Sequence, residues 1–151
     1  MKNENIPLGN CREDVYTRRT IIFESLSPLI GKSVPCGAFN GKNVEILYNS
    51  VDETATRASQ RYESTLAALR IVEALEKSSI VKTDIPNTKQ KKKMYFTKIY
   101  ELKATLTNLG DVKIIIGERN NKRIIHYCIT HKKNKEQLKC PRLQWNLSTT
   151  L

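Results

Sequence analysis

The spacing of apolar residues along this chain changes period several times, and each change predicts a different element. From Glu13 to Ile30, apolar residues Val15, Ile22, Phe23, Leu26 and Leu29 or Ile30 recur at three- and four-residue steps, which predicts an amphipathic helix closed by Pro28 and Gly31. The runs SVPCGAF and NVEILYN are shorter and strand-like, and Asn40-Gly41 between them suits the positive φ of a tight hairpin turn. Pro35 cannot donate a ladder hydrogen bond, so the first run belongs at a sheet edge.

The period then returns to that of a helix in VDETATRASQRYESTLAALRIVEALEKS. Ser50 followed by Glu53 has the capping-box spacing. Leu66, Leu69, Ile71, Val72 and Leu75 make an apolar stripe, predicting one bent helix or two in series that end at Ser78-Ser79. A short strand is expected over Ile80 to Lys82. Residues 84–93, DIPNTKQKKK, read as a basic linker within the domain.

From Met94 the pattern becomes period two. Leu102, Ala104 and Leu106 alternate with Glu101, Lys103, Thr105 and Thr107, while Tyr95 to Glu101 also admits a helical reading. Gly110 leads into DVKIIIGERNNKRIIHYCIT, Asp111 to Thr130, which predicts a two-residue hairpin turned at Asn120-Asn121. Pairing Arg119 with Lys122 sets Ile116 opposite Ile125, Ile114 opposite Tyr127 and Val112 opposite Ile129 as one apolar face. Parity then assigns Glu101, Lys103, Thr105, Lys113, Ile115, His126, Cys128 and Thr130 to the other face.

Helices followed by a meander predict an α+β fold. Its N-terminal helices pack on one face of an antiparallel sheet formed by the C-terminal three-stranded meander and the short N-terminal hairpin. At 151 residues the chain has the size of one domain, with 1–10 and 146–151 expected as flexible ends, although Trp145 and Leu147 could anchor the tail. No apolar run is long enough for a membrane span, and the first residues lack the apolar core of a signal peptide, so a cytoplasmic location is expected. Cys11, Cys36, Cys128 and Cys140 lack zinc-like spacing, so no metal or other cofactor is predicted. The two in strand-like runs, Cys36 and Cys128, are expected as small buried hydrophobes.

Charge changes this picture most. Lys and Arg total 26 against 15 Asp and Glu, a net charge of +11 that favours polyanionic partners and says little about fold. The open face of the predicted sheet gathers residue types suited to RNA cleavage without a metal. His126 or Glu101 would take the proton of the ribose 2′-hydroxyl, and Lys103, Lys113 or Arg119 would offset charge on the phosphorane-like transition state. Thr130 shares that face. The lysine run, with Lys91 and Lys92, and Tyr95, Phe96 and Tyr100 beside it are further candidate contacts to phosphates and bases. His131 is a weaker candidate. No phosphate-binding glycine loop or nucleophile elbow occurs, and a metal-dependent nuclease would require Glu45, Asp52 and Glu53 to converge in space.

The run NSVDETATRASQRYESTLAAL, followed beyond the lysine-rich link by LGDVKIIIGERNNKRIIHYCIT, resembles phage and mobile-element domains of the barnase, EndoU, colicin and RelE-like nuclease superfamily. The likeness spans roughly Val44 to Thr130. It implies helices preceding an antiparallel sheet, metal-independent ribonuclease activity and a toxin role. The polar positions that match are Glu53, Thr54, Ser59, Ser64, Thr65, His126, Tyr127 and Thr130, and the Ser and Thr positions also have a plain reading as helix caps. That family pattern carries a histidine near the helix position filled here by Arg57 or Ala58, so Arg57 would have to act electrostatically. The expectation is a toxin-type endoribonuclease acting on RNA through 2′-hydroxyl attack. Two alternatives stand beside it: a non-catalytic nucleic-acid binder, and an accessory protein of a phage or mobile element that binds an acidic immunity or antitoxin protein.

Overall fold

The computed structural model describes residues 5–85, 96–120 and 122–131, and the linker lysines Lys91 and Lys92, Tyr95, and the tail with Trp145 lie outside them. Among the described residues, a first helix α1 (Arg12–Leu26) runs on through a short 3-10 turn at Ser27–Leu29, and then strands β1 (Lys32–Pro35) and β2 (Asn43–Ile46) form an antiparallel pair. Glu13 and Asp14 in the first turn of α1 complement its helix dipole. Between the two strands Asn40 and Gly41 both take positive φ, as the turn signal predicts.

The long helical stretch is neither one bent helix nor two but three short ones: α2 (Tyr48–Ala58), α3 (Tyr62–Leu69) and α4 (Ile71–Glu76). Helix α2 begins three residues earlier than a Ser50 cap would have it. Ser50 lies in its first turn, and the Ser50 hydroxyl accepts a hydrogen bond from the Leu47 N–H at 3.0 Å. The break after Ala58 is held by side chains, since the Thr65 hydroxyl is within hydrogen-bonding distance of the Ala58 and Arg61 carbonyls, at 3.2 and 3.0 Å.

Strands β3 (Ser79–Asp84), β4 (Lys98–Leu106), β5 (Gly110–Glu118) and β6 (Ile124–His131) complete a six-stranded sheet in the order β1-β2-β6-β5-β4-β3. The C-terminal meander is therefore as expected. The N-terminal hairpin joins it through a single parallel pairing, Glu45 with Ile125, braced by an Arg123–Glu45 ion pair. Ile22, Leu26, Val51, Ala55, Ala58, Ala67, Ala68, Ile71 and Leu75 from the helices cluster with Leu102, Ala104, Leu106, Val112, Ile114, Ile116 and Ile129 from one sheet face. This is the α+β arrangement that the periodicity predicts.

A further expectation fails, and it concerns the hairpin. Arg119 pairs with Arg123 rather than with Lys122, and Lys122 takes the positive φ, so the turn is longer than two residues. Ile114 then faces Ile129 and Ile115 faces Cys128, but Ile116 faces His126 and Gly117 faces Ile125. Tyr127 is left without a partner as a β-bulge. Because side chains alternate with period two, one extra residue moves everything on its turn side to the opposite face. His126 thus leaves the open face for the core.

Residues 6–9 are held against the domain. Ile6 is buried, and the fully buried Arg18 of α1 donates to the carbonyls of Pro7, Gly9 and Ser59. With no carboxylate paired to it among the described residues, this guanidinium has its pKa lowered, chiefly by burial, with Asp14 and Glu63 opposing from further away. Each bond to a charged donor adds about 1.5–3 kcal/mol, so Arg18 ties the first residues to the α2–α3 corner.

Candidate functional site

The open face of the sheet carries the residues on the distal side of the bulge as parity predicts. Lys103 lies directly opposite Lys113, and Lys113 opposite Thr130; Glu101 faces Ile115, which faces Cys128. Two lysines in direct cross-strand register repel each other, a cost of roughly 0.2–1 kcal/mol that an anionic ligand would relieve. Thr105 at the end of this face donates to Asp111 at 2.7 Å.

Helices α2 and α3 flank the outer edge of β6 beyond its pairing with β2. Glu53 and Arg57, one turn apart on α2, are ion-paired at 2.9 Å with side chains 16% and 30% exposed. The Arg57 guanidinium carbon lies 5.6 Å from the centre of the Tyr127 ring. Burial would lower the Arg57 pKa, but the hydrogen bond it donates to Glu53 and the groups around it raise it on balance. Beneath this cluster the Cys128 thiol is buried and its pKa is pushed up to about 11, first by that burial, with Arg57, Glu53 and Lys113 all close enough to act on it. Glu53, Arg57 and Tyr127 therefore meet at one point on β6, with Lys113 on the neighbouring strand opposite Thr130. Tyr127 itself is only half-buried and has its pKa raised, chiefly by that burial, with Glu53 acting in the same direction and Arg57 against it. Tyr127 is a corner residue, not the core residue that the regular hairpin implies.

His126 is 1% exposed, and neither ring nitrogen has a hydrogen-bond partner among the described residues. Burial lowers its pKa to about 3, opposed only in part by the Cys128 backbone. It is a neutral imidazole in the core and cannot reach a ligand on the lysine face. His131 lies opposite Val112, its Nε2 is 2.9 Å from the Leu109 carbonyl oxygen, and its backbone is gripped by α3. Arg119 is six positions along the strand from Lys113, about 20 Å away, and its charge acts on Glu45 at the other side of the sheet.

The serines and threonines of the family-like run are mostly structural. Ser64 Oγ accepts the His131 N–H at 2.9 Å, and Arg61 donates to both Ser64 and the His131 carbonyl, so the start of α3 satisfies the end of β6 on the side away from β5, where no strand pairs with it among the described residues. Thr65 stabilises the α2–α3 break, and Ser59 Oγ donates to the Thr56 carbonyl at 3.3 Å. Thr54 is buried, and its hydroxyl has no partner among the described residues. The three carboxylates weighed for metal binding are each held by a different arginine: Glu45 by Arg123, Asp52 by Arg19 and Glu53 by Arg57.

The structure thus sets Lys103, Lys113, Thr130 and Glu101 on one face of the sheet and joins Glu53, Arg57 and Tyr127 at the bulge, while His126 and Arg119 stand apart. The Glu53–Arg57 pair was signalled in the sequence by its i, i+4 spacing, but its approach to Tyr127 depends on a bulge that no residue pattern announces. No family model, curated protein or solved structure matches the chain. Among the described residues, no helix is long and apolar enough to cross a membrane.

Proposed function

We propose that the protein is a metal-independent endoribonuclease whose reacting centre is the Glu53–Arg57–Tyr127 corner, with Lys103 and Lys113 holding the phosphodiester. The observation that carries this reading is the placement of a part-exposed carboxylate ion-paired to an arginine that packs on Tyr127 at the bulge of β6. Glu53 is the group suited to accept the 2′-hydroxyl proton. Arg57 and Lys113 offset the charge that builds on the phosphorus oxygens. Tyr127, whose raised pKa keeps its phenol protonated, supplies a proton to the departing 5′-oxygen. The resemblance to the barnase, EndoU, colicin and RelE-like superfamily supports the same activity, with Arg57 standing where that pattern places a histidine.

The test is cleavage of single-stranded RNA in EDTA. Wild-type protein should cut, and Glu53→Gln should bind RNA normally while losing roughly 100-fold or more of the rate, the usual scale of a general base. Unchanged cleavage by Glu53→Gln rules out this mechanism.

A second reading, RNA binding without cleavage, is favoured by one observation: neither histidine faces the lysines. It expects salt-dependent binding through Lys103 and Lys113 and intact RNA after long incubation.

A further inference from the structure

On the turn side of the bulge the open face carries an aromatic ledge. A Cβ built on Gly117 would lie 2.4 Å from Cδ1, Cδ2 and Cε1 of Phe96 alike, so the Phe96 ring lies face-on over the glycine. One face of the ring rests on the sheet and the other turns away from it, and the residue remains partly exposed. Tyr127 stands beside it as a wall, its ring at 89° to that of Phe96 with centres 6.2 Å apart. Arg57 in turn packs on the Tyr127 ring. A floor, a wall and a neighbouring cation make a corner for a flat, polarisable group. The bulge builds it, since Tyr127 is the residue without a cross-strand partner.

We infer that this corner receives one unpaired base of a single-stranded RNA, stacked on Phe96, while the adjoining phosphates follow β5 toward Lys113 and Lys103. The inference rests on the RNA-cleaving reading above and deepens it by naming the form of substrate. A base inside a duplex has both faces covered by its neighbours, so it cannot lie on Phe96 without leaving the stack. A lone base-stacking ring discriminates strandedness and tolerates any base identity. Lys113 lies four positions from Gly117 on the same strand, about 13 Å away, so base and phosphate contacts share one track.

A short 2′-O-methyl RNA, which lacks the attacking hydroxyl and cannot be cut, carries a fluorescent purine analogue and is offered single-stranded or annealed to its complement. The wild type should bind the single strand more tightly than the duplex and quench the analogue. Phe96→Ala should cost the single strand about tenfold in affinity, a typical loss for one stacked base, and abolish the quench. Phe96→Trp should keep both. Phe96→Leu still covers Gly117 with apolar bulk, and should lose the quench while keeping the thermal midpoint. Equal affinity for single strand and duplex, or a quench that survives Phe96→Leu, overturns the inference. Absence of cleavage on ordinary RNA, with quench and strand preference intact, overturns the catalytic reading alone.

Discussion

The two halves of β6 obey different rules. From Cys128 to His131 the strand keeps the facing that alternation predicts, though its register is shifted by two residues, with Ile129 opposite Ile114 in the core and Thr130 beside Lys113 on the open face. From Ile124 to His126 the facing is inverted, with His126 opposite Ile116 and Ile125 opposite Gly117, and the side chains of Ile124, Ile125 and His126 are all buried. One unpaired tyrosine separates them. An identical chemical argument about a histidine on a basic face is sound on one side of Tyr127 and void on the other.

Several substitutions break or sharpen that contrast. The largest expected effect is on the core of either half. Ile129→Ala and His126→Ala should each cost about 2–5 kcal/mol in denaturant unfolding, because both remove a buried side chain and leave a cavity. A histidine on an open face would instead give a change within about 0.5 kcal/mol on substitution.

Next in size is the acid dependence. The folded-state pKa of His126 is lowered to about 3, so between there and the unfolded value near neutrality the unfolded chain holds a proton that the folded one refuses. This contribution to stability is present at neutral pH and is lost as pH falls through that window. His126→Leu fills much of the same space without orphan nitrogens. It should flatten the acid limb of stability against pH, and an unaltered limb contradicts burial of a neutral imidazole. The value at neutral pH should hold or rise.

A smaller loss, about 1–2 kcal/mol, is expected for Ser64→Ala, which strips the buried edge of β6 of its acceptor for the His131 N–H. Amide exchange at His131 should quicken in that variant before the rest of β6 does.

The elements themselves were legible because each buries one face: the strand alternation at Leu102, Ala104 and Leu106 and the stripe at Leu66 to Leu75 register directly what is buried. The Asn40-Gly41 turn was legible for the same local reason, positive φ. What was not legible depended on partners distant in sequence. Asn120-Asn121 carries a two-residue turn signal, yet pairing of β6 with both β5 and β2 favours a longer turn and a bulge. The break between α2 and α3 is held by the Thr65 hydroxyl reaching the Ala58 and Arg61 carbonyls, which an apolar stripe does not record. Of the candidate site, the lysine face could be read by parity and the Glu53–Arg57 pair by helical spacing. Their meeting at Tyr127 required the fold.

The smallest stability change separates cost from use. Lys113→Ala should raise stability by no more than about 1 kcal/mol by relieving its repulsion with Lys103, while weakening RNA binding and reducing its salt dependence. A variant that gains stability and loses ligand marks the pair as held for binding. Loss of stability without a change in binding marks it as structural.

The central claim is that the working groups lie around the bulge on the outer side of β6 and that His126 does not take part. The most direct measurement compares the rate of RNA cleavage in EDTA for His126→Leu and Glu53→Gln side by side, with both variants confirmed folded. The arrangement predicts that His126→Leu cleaves within a few-fold of wild type and that Glu53→Gln loses roughly 100-fold or more. A dead His126→Leu beside an active Glu53→Gln would contradict it.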